Sequence, residues 1–220
     1  MWTLSRGSRF EVTADVAVND YVEVQSRDTG ATMLGIRHYK NSAIDLWQGD
    51  ITTFVCDAMV NAANTKLAGG GGVDGAIHEA GGPSIMEECN KIGGCPTGQA
   101  VSTRAGQLPC QWIIHSVGPV WQGGRSGEQK LLALAYRNSL CEAERLGVRH
   151  VAFSSLSTGV YRFPFEEASN IAMKEVKDFL DCEKDPVKKN EVKRITFVLF
   201  SLEIYSVFQK ALFKAFPEKA

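Results

Sequence analysis

Ala58-Met59-Val60-Asn61-Ala62-Ala63-Asn64, then Gly69-Gly70-Gly71-Gly72 and at once Val73-Asp74-Gly75-Ala76-Ile77-His78, reads as an apolar strand, a glycine turn and the start of a helix. Consecutive glycines specify backbone rather than side chains: without Cβ atoms they reach positive φ and let a ligand approach the peptide groups. The helix that follows points its first N–H groups back at the turn, which makes an anion site. A merely flexible turn would carry the same letters. Asn64, between strand and glycines, can both donate to and accept from a sugar hydroxyl; the other reading of Asn61 and Asn64 is that they only close turns. Asp74 is the one carboxylate between the glycine run and its helix.

On either side of this stretch, strand-length apolar segments alternate with helical patterns, as in an α/β layer structure. Strands are expected over 43–47, 58–62, 99–103, 112–117, 150–154 and 194–200, and helices over 73–80, 84–91, 127–146, 166–180 and 204–216. Leu132, Tyr136, Leu140 and Ala143 recur at helical spacing, with Gly147 where a left-handed C-cap is wanted. Ala168, Ile171, Ala172, Val176 and Phe179 form a second stripe behind Pro164, which suits a first helical turn. Both stripes are expected to be core. Residues 1–42 differ: alternating stretches over 10–18 and 33–39, split by Asn19-Asp20 and Asp28-Thr29-Gly30, read as an N-terminal extension with short, hairpin-like strands. The basic stretch 184–193 reads as a solvated loop before the last strand.

The bulk numbers fit one domain of 220 residues with a sizeable core. Hydrophobic residues at 44% and charged residues at 22% are globular values. Lys+Arg 24 against Asp+Glu 25 leaves a formal charge of -1, so no overall field draws in a long nucleic acid. No apolar run approaches the roughly 20 residues of a bilayer span, and residues 1–10 carry no signal region. Neither a membrane nor export is expected, and the compartment is read as cytoplasmic, with the nucleus open to it. Six cysteines lie singly, without a C-x-x-C pair; they give zinc little support and are expected to be buried reduced thiols.

A second loop strengthens the anion reading. After the strand at 150–153 come Ser154-Ser155-Leu156-Ser157-Thr158-Gly159-Val160-Tyr161-Arg162-Phe163-Pro164 and then a helix. Ligands of open α/β sheets bind at the carboxyl ends of strands. Here small residues offer amides and hydroxyls, and Tyr161 offers a ring to a sugar. Neither a G-K-[ST] loop nor a G-x-G-x-x-G fingerprint is present. Two such loops suit a diphosphate held from both sides.

Gly49-Asp50-Ile51, Val60 to Asn64, Gly69 to His78, Ile113-Ile114-His115-Ser116-Val117-Gly118-Pro119 and Ser157-Thr158-Gly159-Val160 together resemble the macrodomain, the ADP-ribose-binding α/β/α module. The resemblance runs in order over roughly residues 43–216. The run G-G-G-V-D-G-A-I-H with its Asp is similar to the MacroD-type branch, whose members remove ADP-ribose from acidic side chains and deacetylate O-acetyl-ADP-ribose. The resemblance implies a three-layer α/β/α fold with a central mixed sheet over 43–218. It implies that Asp50 accepts from the adenine amino group, Ile51 lies alongside the base and Phe200 stacks on it. Asn64 would bind the distal ribose, with Asp74 near the scissile bond as its catalytic partner. Gly71, Gly72 and Val73, and Ser157, Thr158, Gly159, Val160 and Tyr161, would hold the diphosphate.

The implied partners are ADP-ribose, ADP-ribosylated proteins and O-acetyl-ADP-ribose, without metal or nicotinamide cofactor. Tyr161-Arg162-Phe163-Pro164 departs from the Phe-Gly-Tyr-Pro common in that branch, and Arg162 would narrow the distal end. His78, one turn past Asp74, reads as a packed or capping residue, and His115 as a core histidine. Hydrolysis of an acyl ester needs a positioned water and help with its proton, with Asp74 as base or orienter. The alternative is a non-catalytic ADP-ribose reader; Asp74 and the intact glycine run favour the enzyme.

Overall fold

A computed structural model describes residues 10–12, 24–26, 32–182 and 192–218. In chain order the elements are β1 (Phe10–Val12), β2 (Val24–Ser26), β3 (Thr32–Tyr39), β4 (Ser42–Gln48), a 3-10 turn (Ile51–Thr53), β5 (Ala58–Ala62), α1 (Gly72–Gly81), α2 (Pro83–Ile92), β6 (Ala100–Arg104), β7 (Trp112–Ser116), α3 (Glu128–Arg145), β8 (His150–Phe153), α4 (Phe165–Asp181), β9 (Arg194–Leu199) and α5 (Leu202–Ala215). Among the described residues one sheet carries all nine strands, in the order β1-β2-β3-β4-β9-β8-β5-β7-β6. Its middle, β4 through β7, is parallel, while β6 and the β1–β3 side are antiparallel. The sheet is mixed, as the resemblance implies.

Strand alternation decides which helices cover which face. Ala58 and Val60 of β5 join Ile195, Phe197 and Leu199 of β9 in a core with α3, α4 and α5, where Phe153 and Phe197 stack at 5.4 Å. Met59 and Val198, one residue out of phase, face the other way, into a second core with Ile77 of α1 and Ile85 and Cys89 of α2. Helices thus cover both faces, and the central strands read as continuous apolar runs for that reason.

Most expected boundaries fall within two residues of those observed. The strand expected at 99–103 starts at Ala100, because the Gln99 N–H closes a turn onto Pro96 O. Pro164, with ψ 131°, precedes α4 as its cap instead of lying in its first turn, whereas Gly147 is left-handed (φ 69°) behind α3 as expected. Residues 33–39 fall in β3, which turns through Lys40 (φ 51°) into β4 and pairs with it from Tyr39↔Ser42 to Thr32↔Gln48. Of the stretch 10–18 the structure describes 10–12, and of the loop 184–193 only 192–193. None of the six cysteines is in a disulfide, and only Cys56, Cys89 and Cys95 are buried. Cys141 and Cys182 are exposed near helix ends, which corrects the expectation of buried thiols. Among the described residues no helix is long and apolar enough to cross a membrane.

Candidate functional site

The parallel strands β4, β9, β8 and β5 bring their carboxyl ends to one edge of the sheet, and a cleft of ≈ 800 Å³ opens there. This is the position and the size of a small-molecule site in an open α/β sheet. Gly49, Asp50 and Ile51 follow β4; Phe200 and Ser201 follow β9; the Ser154–Tyr161 turn follows β8; Asn64 and the glycine run follow β5. Among the described residues, the lining contains two carboxylates, Asp50 and Asp74, and neither Lys nor Arg. What the described lining offers an anion is backbone N–H groups and the neutral side chains of Asn, Ser and Thr.

Two sets of amides are available. Gly71 is the N-cap of α1 and offers no side chain to it, so the first N–H groups of that helix are left for a ligand. Gly69 and Gly72 need positive φ (72° and 63°), while Gly71 is extended at −98°. The space at Gly70 is short instead: a Cβ there would lie 3.2 Å from Asp74 Oδ2. At Gly75 it would lie 2.5 Å from Gly70 O, so this glycine lets the run fold back onto the helix. Gly75→Ala is accordingly expected to lower stability by about 1–3 kcal/mol, while Gly71→Ala, which meets nothing within 4 Å, costs a few tenths. Urea midpoints of the two variants check this pair.

The second set lies in the β8–α4 turn. Its bonds are Arg162 N–H to Gly159 O (2.9 Å), Phe163 N–H to Ser157 O (3.0 Å) and Trp121 N–H to Tyr161 O (2.9 Å). Among the described residues, the N–H groups of Gly159, Val160 and Tyr161 find no backbone partner. Ser157 (φ 64°) and Arg162 (φ 56°) are left-handed without being glycine, a strained conformation of the kind that gathers at functional sites. Gly118 makes room for this turn, since a Cβ there would sit 2.1 Å from Ser157 Oγ. Arg162 is exposed and does not line the cleft. It does not narrow the distal end, because its left-handed backbone re-aims the chain between Tyr161 and Phe163.

Asp50 caps the 3-10 turn: its Oδ1 accepts from Thr52 N (2.9 Å) and Thr52 Oγ1 (2.8 Å), which leaves Oδ2 for another donor. Ile51 is buried beside it, whereas Phe200 and Val160 stand 84% and 79% exposed at the rim, apolar surface that a bound ligand would cover.

Asn64 closes the turn ahead of the glycine run. Its Nδ2 donates to Gly69 O (2.7 Å), and its Oδ1 accepts from Lys66 N (3.1 Å) and Ala68 N (3.4 Å). Asn61 closes no turn: it is fully buried in β5 and donates through Nδ2 to Asp74 Oδ1 at 2.7 Å. The sequence held a signal for this, since Asn61 shares a strand face with Met59, the face that α1 covers. Asp74 is 5% exposed, and His78 Nε2 stands 3.5 Å from its Oδ1. His78 therefore faces a carboxylate and is neither simply packed nor a side-chain cap. His115 is a core histidine as expected, pushed down to about 3 by burial, with His78 adding to the shift.

His78, Cys89 and His115 bring one ligand atom each within 4.8 Å of one another. The donor set fits a metal poorly. Burial, reinforced by Asp74, pushes the Cys89 thiol up to about 11, and the His115 Nε2 is already 2.9 Å from Thr103 Oγ1.

The family model described as Macro domain matches residues 60–172. A Macro domain-containing protein from Cupriavidus necator is 51% identical over 168 residues, covering 74% of this chain and 94% of that protein. The O-acetyl-ADP-ribose deacetylase of Escherichia fergusonii is 47% identical over 175 residues, covering 78% and 96%. The crystal structure of the Trypanosoma brucei macrodomain in complex with ADP-ribose superposes with a TM-score of 0.70 at 37% identity, covering 77% of this chain and 68% of that one.

Proposed function

Because this chain belongs to the macro domain family, we propose that it binds ADP-ribose in the strand-end cleft and hydrolyses acyl esters on the distal ribose. The products would be ADP-ribose and either an acidic side chain of a protein or acetate from O-acetyl-ADP-ribose. The names of the similar proteins support the ligand and the ester chemistry. The observation that carries the reading is Asp74, a buried carboxylate held between the glycine run and the floor of a cleft whose described lining has no Lys or Arg.

In this reading the N–H groups of Gly72 and Val73 face the diphosphate from one side and those of Ser157 to Tyr161 from the other. Asp50 Oδ2 accepts from the adenine amino group, with Ile51 and Phe200 against the ring. The Asn64 amide gives one hydrogen to Gly69 O and has a second for the distal ribose. Water adds to the ester carbonyl, the acyl–oxygen bond breaks, and the ribose oxygen takes a proton as it leaves. Asp74 Oδ2, on the Gly70 side and free of the Asn61 bond, acts on that water or on the adjacent ribose hydroxyl. A carboxylate so placed supplies about 10²- to 10⁴-fold.

ADP-ribose at about 100 times its dissociation constant is expected to stabilise the fold by roughly 2.7 kcal/mol. AMP, which lacks the second phosphate and the distal ribose, is expected to do so far less at equal concentration. Denaturation curves showing no preference for ADP-ribose would remove the reading. Release of ADP-ribose from an acidic-residue-modified protein, run beside O-acetyl-ADP-ribose, separates the hydrolase from a reader that binds without cleaving.

A further inference from the structure

Behind Asp74, on the side away from the cleft, three buried side chains form a line across the sheet. Asn61 Nδ2 lies 2.7 Å from Asp74 Oδ1 and 3.2 Å from His115 Nδ1, and His115 Nε2 lies 2.9 Å from Thr103 Oγ1. They come from β5, β7 and β6, and Asn61 and His115 are direct register partners. Asn61 and His115 are fully buried, and Thr103 is 1% exposed. His115 and Thr103 do not line the cleft.

The donor inventory leaves one arrangement. An amide nitrogen carries two hydrogens and accepts nothing, so both of its neighbours must accept. Asp74 Oδ1 accepts as a carboxylate, and His115 Nδ1 accepts only if it is bare. A neutral imidazole with a bare Nδ1 carries its proton on Nε2, which then donates to Thr103 Oγ1. Turning the Asn61 amide over would set its oxygen 2.7 Å from a carboxylate oxygen, which is repulsive. The groups that face His115 are His78 (ring centres 6.0 Å apart), Cys89 (Sγ to Nε2 3.6 Å) and, through Asn61, Asp74. Burial, with His78 adding to it, keeps His115 neutral down to about pH 3.

We propose that Asn61 and His115 are positioning residues for Asp74. His115 locks the Asn61 amide, and the amide pins Asp74 Oδ1 so that Oδ2 is the oxygen presented on the glycine-run side. This rests on the catalytic role proposed for Asp74. Once Asn61 releases it, the carboxylate is left with His78 Nε2 at 3.5 Å and can swing away from the reacting bond.

The test is single-turnover and steady-state hydrolysis of O-acetyl-ADP-ribose by His115→Phe, His115→Gln and Thr103→Val, with ADP-ribose affinity measured by calorimetry. His115→Phe is expected to lower kcat about 10-fold or more with KM and ADP-ribose affinity within about twofold, because misorientation is felt in the transition state and not in ground-state binding. His115→Gln, whose oxygen can accept from Asn61 while its amide donates to Thr103, is expected to recover most of the rate. Thr103→Val is expected to lose about threefold.

Nitrogen-15 NMR of the wild-type imidazoles is expected to show His115 neutral with its proton on Nε2 from pH 5 to 8. A folded His115→Phe that binds ADP-ribose and cleaves at the wild-type rate overturns the proposal, as does a His115 proton on Nδ1. Should His115→Phe not fold, Thr103→Val decides: an unchanged kcat overturns the proposal. Wild-type protein that binds ADP-ribose and cleaves no ester overturns the hydrolase reading, and with it the purpose of the relay; the NMR tautomer reports on the relay alone.

Discussion

Asp74→Ala is expected to lower kcat for ester hydrolysis by about 10²-fold or more while ADP-ribose affinity changes only a few-fold. The asymmetry follows from what surrounds the residue. In the proposed reading, binding of the diphosphate falls to backbone amides at the start of α1 and in the β8–α4 turn, which a side-chain truncation at Asp74 does not remove. The carboxylate itself is 5% exposed, with Oδ1 committed to Asn61, so it has one oxygen to offer the cleft. Truncation also strands the Asn61 donor in the interior, at a cost of about 1–3 kcal/mol. Urea curves therefore accompany the kinetics, and Asp74→Asn serves as the shape-conserving comparison.

Asn64→Ala behaves differently. Its side chain holds the turn before the glycine run through Gly69 O, Lys66 N and Ala68 N, and the ribose contact proposed for it exists in ground and transition states alike. Both affinity and kcat are expected to fall. Paired single-turnover rates and calorimetric affinities check the two variants. An Asp74→Ala protein that cleaves at the wild-type rate leaves the carboxylate as a structural partner of Asn61, and the catalytic assignment fails.

Features carried by local chemistry were legible in the letters: strand alternation, the glycine run, the turn after β8, and Asp50 at the end of β4. Each depends on neighbours in sequence. What escaped depends on neighbours in space. Asn61 reads as a turn residue until β5 is known to lie under α1, and only then does its face meet Asp74. Thr103 joins His115 because β6 runs antiparallel to β7, which spacing does not announce. Arg162 reads as a wall of the site, but its left-handed φ of 56° turns it out of the cleft. Cys141 and Cys182 read as core because cysteines usually are, but the helical phase of Cys141 in α3 and the place of Cys182 just past the end of α4 put both in solvent.

Acid is expected to weaken the fold well above the range where carboxylates titrate, and two histidines set the window. His115 sits in the relay behind Asp74. His150, in β8, is mostly enclosed, edge-on to Phe54 at 5.8 Å, with Nε2 2.8 Å from Thr196 Oγ1. That hydroxyl donates to Asp45 Oδ1 at 2.5 Å, so it must accept from the His150 Nε2–H, which fixes the neutral tautomer. Burial, with Arg194 adding to it, pushes His150 down to about 4 against the opposing pull of Asp45 and Asp57. Unfolded, both rings take up a proton near pH 6.5; folded, they refuse it until about pH 4 and about pH 3. The unfolded chain therefore binds more protons below pH 6.5, and the stability these two rings contribute is complete above that pH and lost as the pH falls toward 4 and 3. Each loses about 1.4 kcal/mol per pH unit, so going from pH 7 to pH 5 is expected to remove about 4 kcal/mol in total. His150→Gln keeps a donor for Thr196 and cannot titrate, so its urea midpoint is expected to fall about half as steeply over the same range. A wild-type midpoint that stays level from pH 7 to pH 5 would mean that these rings take up protons in the folded protein over the same range as in the unfolded chain, and His115 would then keep a bare Nδ1 to lock Asn61 only above about pH 6.5.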